Sequence, residues 1–126
     1  MIVANYQTIW KVVDEPFPNR DERIIDISGF TRLTINAQWT AGRYESLALW
    51  ILGSVEEQNP SRWCDMVDWC SFQGSKDALV TGTYRRRGLL AARLEDLNLR
   101  WIKLVLRKKW NRNHRSSIYV AFGGRG

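Results

Sequence analysis

Bond-making chemistry needs nucleophiles, acids, bases or metal ligands held within reach of one another, and this 126-residue chain offers few candidates. Cys64 and Cys70 stand six apart in W-C-D-M-V-D-W-C. A turn between them would allow a disulfide, but a reducing compartment and strand-like spacing favour free, small, buried thiols. A zinc site takes about four ligands, and the single histidine, His114, lies far from both cysteines, so no metal is expected. Asp65 and Asp68 are three apart and face opposite sides of a strand, and Glu56-Glu57 reads as a solvated turn. His114 has basic neighbours and no acid to orient it. Gly123-Gly124 precedes no helix, which removes a phosphate cradle and makes the C-terminus a free tail. The expectation is a protein without catalytic residues, metal or cofactor.

The elements that would position any site are strands. Arg32 to Trp39, R-L-T-I-N-A-Q-W, puts Leu33, Ile35, Ala37 and Trp39 on one side. Trp101 to Lys109 repeats the period with Ile102, Leu104 and Leu106. Further strands are expected at Tyr6 to Val13, Arg23 to Ile27, Leu47 to Val55, Arg62 to Trp69, Ala78 to Arg85 with a bulge at Gly82, and Ser117 to Phe122. Asp14 to Asp21 carries two prolines, so residues 1–22 read as an N-terminal arm and loop, either an edge strand or a swapped arm, and 23–126 as one domain. Phe72 to Asp77 and Trp110 to Arg115 read as loops. Gly88 to Leu99 fits a short helix or an extended segment, since Leu90, Leu94 and Leu97 share a helical face. The fold expected is all-β: an antiparallel, jelly-roll-like sandwich of about eight strands with at most one short helix.

Length suits one domain with a core that needs no staples. Hydrophobic residues form 44%, yet the longest apolar run, Leu47 to Leu52, is far short of the roughly 20 residues that span a bilayer. No membrane segment is expected. The N-terminus lacks a basic region followed by an apolar run, which argues for folding in a cytoplasm. Charge is polarised. Twelve of the 19 Lys and Arg fall at or after Arg85, against only Glu95 and Asp96, while the preceding residues are net acidic. Such polarity suits head-to-tail contact between copies, docking on an acidic surface, or nucleic acid.

Three segments carry a resemblance: D-I-S-G-F-T-R-L-T-I-N-A-Q-W-T from Asp26, S-L-A-L-W-I-L-G-S-V-E-E-Q-N-P-S-R-W-C-D-M from Ser46, and L-R-W-I-K-L-V-L from Leu99. In this order they resemble small β-sandwich virion proteins of tailed bacteriophages, of the head-decoration or tail-adaptor kind. Ser54 and Trp63 would hold the turn positions of that pattern. Where the pattern commonly has Asp-Gly, this chain has Glu56 to Pro60, so the hairpin must be longer. The resemblance implies a non-enzymatic structural protein of the virion, present in host cytoplasm before assembly. Its partners would be itself and major capsid or other virion proteins, with head decoration first and a tail or neck role as alternative.

Seven tryptophans are many for this length. Trp39 and Trp63 fall at expected core positions, whereas Trp50 and Trp101 fall on outward faces, where burial between subunits is favoured over a sugar platform. The candidate subunit interface is Trp10, Trp50, Trp101, Arg107, Lys109 and Trp110. Nucleic acid binding by Arg85-Arg86-Arg87, Arg107-Lys108-Lys109, Arg112 and Arg115 is the lesser alternative, because no nucleic-acid-binding motif accompanies those charges.

Overall fold

Alternating patterning of this kind buries one face of each strand and so requires a second sheet to cover it. The computed structural model describes residues 4–72, 80–110 and 113–126. It contains β1 (Ala4–Pro16), β2 (Arg20–Asp26), β3 (Arg32–Thr40), β4 (Ser46–Ser54), β5 (Cys64–Asp65), a 3-10 turn (Val67–Trp69), β6 (Cys70–Phe72), β7 (Arg87–Leu94), β8 (Trp101–Lys109) and β9 (Arg115–Arg125). One sheet has the order β1-β9-β3-β7-β6 and the other β2-β8-β4-β5, with every pair antiparallel. The chain passes from one sheet to the other after β1, β2, β3, β5, β7 and β8, the double-wound path of a jelly roll. The expected all-β sandwich is therefore the observed fold, with β6 as an additional strand beside β7.

The core lies between the sheets. Leu33, Ile35, Ala37 and Trp39 of β3 alternate inward without a break, as do Ile102, Leu104 and Leu106 of β8 and Ile118, Val120 and Phe122 of β9. Trp39 fits because its cross-strand partner is Gly88: a Cβ there would stand 2.1 Å from the indole. The buried indole N–H donates to the Arg85 carbonyl at 2.9 Å, so this large core side chain keeps its hydrogen bond.

Two buried inward positions of the described strands break the apolar rule, Ser116 of β9 and Lys108 of β8. Lys108 continues the series Ile102, Leu104, Leu106, and its side chain is 0% exposed. Its Nζ meets Glu45 Oε2 at 2.9 Å, the Glu45 side chain being equally enclosed, and donates also to the Phe17 carbonyl. Glu45 Oε1 accepts the His114 backbone N–H at 2.9 Å. Gly42 lies against this carboxylate, where a Cβ would come within 2.4 Å of Oε1, and its N–H donates to Ser116 Oγ at 2.8 Å. The β1–β2, β3–β4 and β8–β9 connections are thereby tied at one end of the sandwich.

Several segments differ from expectation or decide between two readings left open. Gly88 to Leu94 takes the extended reading, in strand β7: Leu90, Ala92 and Leu94 face inward and pair against β3, and a sheet neighbour on each side supplies what an isolated helix would lack. Within Arg62 to Trp69 only Cys64 and Asp65 pair, with β4, because Asp65 Oδ1 caps the Val67 N–H at 2.9 Å and turns the chain into the 3-10 segment. Residues 80–85 are not a strand. Gly82, at φ +79°, makes a turn, and Arg85 forms a single bridge to Leu47. Gly123 and Gly124 are no tail, since β9 pairs there with both β1 and β3. Residues 4–16 of the expected arm form the edge strand β1 on β9 of the same chain, and β2 starts at Arg20. Residues 73–79, 111 and 112, in the expected loops and the expected strand from Ala78, lie outside the described residues.

An unpaired charge left in the core is far costlier than the intact pair is stabilising. Glu45→Ala alone should therefore lower the unfolding free energy by about 3–5 kcal/mol, and Lys108→Met in the same chain should restore much of it, as read by chemical denaturation.

Candidate functional site

The outward side of the β2-β8-β4-β5 sheet carries most of the expected interface residues. Register places Asp26, Trp101 and Ser54 side by side, then Ile24, Lys103 and Leu52, then Glu22, Val105 and Trp50, then Arg20, Arg107 and Ala48. Directly opposed residues share a face, so Trp101, Lys103, Val105, Arg107 and Lys109 line up along β8. This row alternates aromatic faces with cations. Arg100 Cζ is 5.2 Å from the Trp101 ring, Lys103 Nζ 4.6 Å from Trp63, Arg107 Cζ 5.8 Å from Trp50, and Lys109 Nζ 4.2 Å from Tyr84.

Local structure holds the row in place. Trp50 and Tyr84 meet edge to face at 5.5 Å and 69°. The turn that brings Tyr84 there is fixed by the Gly82 N–H, which donates to the Leu49 carbonyl at 2.8 Å, and a Cβ at Gly82 would stand 3.1 Å from Trp50 Nε1. Trp101 Nε1 donates to the Glu56 carbonyl at 2.8 Å. Acids neutralise part of the face: Glu22 pairs with Arg20 and Lys103, and Asp26 with Arg100 at 3.3 Å. Arg107 and Lys109 have no acidic partner among the described residues. That end of the face is cationic and aromatic, suited to non-covalent capture of an acidic surface.

The structure brings Trp50, Trp101, Arg107 and Lys109 to this one face. Trp110 is 70% exposed at the β8–β9 turn, beyond the end of β8. Trp10 does not belong to it. Its side chain is 3% exposed within the core, its Nε1 donates to Asp21 Oδ2 at 3.0 Å, and Arg23 lies 5.3 Å from its ring, which leaves no indole surface for a partner. A register irregularity between Thr8 and Trp10 reverses the facing of β1 there, a shift that alternation in sequence does not reveal. Trp39 is in the core as expected, but Trp63 is half-buried and lies against Lys103. Sequence reasoning missed Tyr84, which enters through a turn and not a strand.

The candidate acids serve the backbone. Glu56 accepts the N–H groups of Ser61 at 2.8 Å and Arg62 at 3.2 Å, closing the long hairpin, and Asp65 caps its own turn. Cys64 and Cys70 are unpaired, but Cys64 is exposed and Cys70 only half-buried, so neither is the enclosed thiol expected.

The strand order defines a jelly-roll sandwich. Neither a family model nor a curated protein matches the chain in sequence. Solved structures similar to it include the SPBc2 prophage-derived protein YomS, at a TM-score of 0.60 and 9% identity over 100% of this chain and 96% of that one. Another is the infectious bursal disease virus VP2 subviral particle, at a TM-score of 0.54 and 12% identity. That match covers 98% of this chain but 32% of the VP2 chain, so this chain spans about a third of its length. The likeness is one of fold, to a prophage-derived protein and to a viral particle protein.

Two thiol and acid responses follow from these contacts. Burial, aided by the charge of Asp65, pushes the Cys70 thiol up to about 11. In the native protein a maleimide should label Cys64 quickly and Cys70 slowly, with both labelled after unfolding, as mass spectrometry of peptides would record. Partial burial works to raise the Asp21 carboxyl, but hydrogen bonds from Trp10, Arg23 and the Glu22 N–H hold it below the ordinary aspartate value. Its stabilisation is present above the unfolded-state value of about 3.9 and is lost as pH falls through the lower folded-state value. Asp21→Asn should thus unfold more easily at pH 7, and its deficit should shrink on acidification.

Proposed function

We propose that this chain is a non-enzymatic virion structural protein that binds copies of itself and other virion subunits, acting as a head decoration or stabilising protein. The observation that carries the reading is the whole-chain fold likeness to a prophage-derived protein, joined by the likeness to a viral particle protein. Jelly rolls recur in viral capsid domains.

The face along β8 supplies a mechanism. Trp50, Tyr84 and Trp101 would lose their remaining exposure against a neighbouring subunit, and Arg107 and Lys109 would meet acidic side chains there. Aromatic residues and Arg are the usual anchors of protein interfaces, the aromatics because they bury much area at small entropic cost and Arg because its planar fork pairs with acids. The charge polarity of the chain provides such acids on a second copy, in the segments before Arg85.

Light scattering at micromolar concentration should show an oligomer, and Arg107→Glu should raise its dissociation constant at least about tenfold while leaving the unfolding midpoint unchanged. A strict monomer would remove self-association from the proposal. Proteomic detection of the chain in purified particles of its source tests the virion role directly, and absence from those particles would defeat it.

A further inference from the structure

The outward side of the other sheet has different chemistry. On β9, which runs between β1 and β3, the outward positions Ala121 and Gly123 are small, while Tyr119 and Arg125 flank them. The step in size leaves a hollow of about 450 Å³ floored by β9. Tyr6 of β1, 64% exposed, walls one side, and Thr34 and Asn36 of β3 wall the other. The Tyr6 hydroxyl is joined to that of Tyr119 at 2.7 Å, which fixes the far end.

Three guanidinium groups surround this hollow. Arg32 and Arg125 are directly opposed across β3 and β9, and Arg93 of β7 stands opposite Thr34, one outward position along. Like charges placed directly across a sheet are destabilising. Glu95 is the one acid lining the hollow, and it reaches only Arg93, at 4.0 Å. Arg32 and Arg125 have no acidic partner among the described residues. An unrelieved arginine pair beside a preformed concavity has the character of an anion site, since guanidinium forks match carboxylate or phosphate oxygens bidentately.

The rest of the lining narrows the ligand. Thr34 and Asn36 offer uncharged donors and acceptors of the kind that sugar hydroxyls require, and Tyr6 offers an aromatic wall. The volume falls within the ordinary range of small-ligand sites. A nucleic acid carries a phosphate at every step and calls for cations along its whole track, whereas here β3 continues from Arg32 as Thr34, Asn36, Gln38 and Thr40. We propose that this hollow binds a short acidic oligosaccharide, its anionic group held by Arg32, Arg93 and Arg125 and its hydroxyls by Thr34 and Asn36. The site lies on the opposite sheet from the face along β8 and does not depend on the virion role.

Calorimetric titration of the full chain with trigalacturonic acid, its neutral galactose counterpart, inorganic phosphate and a thymidine oligonucleotide tests this. Trigalacturonic acid should bind, and the neutral trisaccharide should not. Arg93→Gln and Asn36→Ala should each weaken binding at least about fivefold, a loss of roughly 1 kcal/mol, without lowering the unfolding midpoint. In ligand-free, low-salt buffer Arg125→Gln should raise that midpoint by relieving the arginine pair, and trigalacturonic acid should stabilise the parent chain more than this variant. No binding of trigalacturonic acid at millimolar concentration would overturn the proposal. So would phosphate or the oligonucleotide binding as tightly through the same arginines, or trigalacturonic acid binding unaltered by both Arg93→Gln and Asn36→Ala.

Discussion

The ion pair between Glu45 and Lys108 is the constraint that closes one end of the sandwich. Both side chains are fully enclosed, so each carries a desolvation penalty that only the other, with the Phe17 carbonyl and the His114 N–H, offsets. Its partners come from three connections distant in sequence, and in the native register Lys108 stands opposite Leu47 of β4, close to Glu45. A slip of one residue in β8 would turn Lys108 outward and leave Glu45 alone in the core. The pair therefore penalises the slipped register, and apolar side chains of similar size would not discriminate in that way.

With register set, the two outward faces acquire unlike compositions. The β8 side stacks cations on aromatic rings, and its acids are spent on Arg20, Arg100 and Lys103, which leaves one end free to meet negative charge. The β9 side gathers arginines at one end of a polar channel floored by alanine and glycine. Cross-strand neighbours produce both patterns. Trp50 reaches Arg107 from the next strand, and Arg32 faces Arg125 across a ladder from residues 93 positions away in the chain. A sandwich can thus present two faces of unlike chemistry back to back, with the shared core between them.

Much of this was legible in the residues. The inward sets of β3, β8 and β9 follow from strict alternation, because a strand with one wet face has no other way to hide Leu33, Ile35, Ile102, Leu104, Ile118 and Phe122. Four of the six expected interface residues, Trp50, Trp101, Arg107 and Lys109, share a face for the same reason. Legibility failed where alternation is interrupted or has two readings. The irregularity after Thr8 sends Trp10 into the core, and the leucines of β7 satisfy helical and extended periods alike until β3 and β6 supply hydrogen bonds. Gly82 read as a bulge and Gly123-Gly124 as a tail, since glycine marks a departure from ordinary backbone without saying which one.

The sequence by itself determined the class of fold, the content of the core and the polarity of charge, all properties of local period and composition. Tertiary structure alone decided that Lys108 lies buried beside Glu45, that Tyr84 joins Trp50, and that three arginines surround one hollow. The physical reason is that pairing and like-charge crowding depend on which strand becomes whose neighbour, and in a jelly roll those neighbours are distant along the chain.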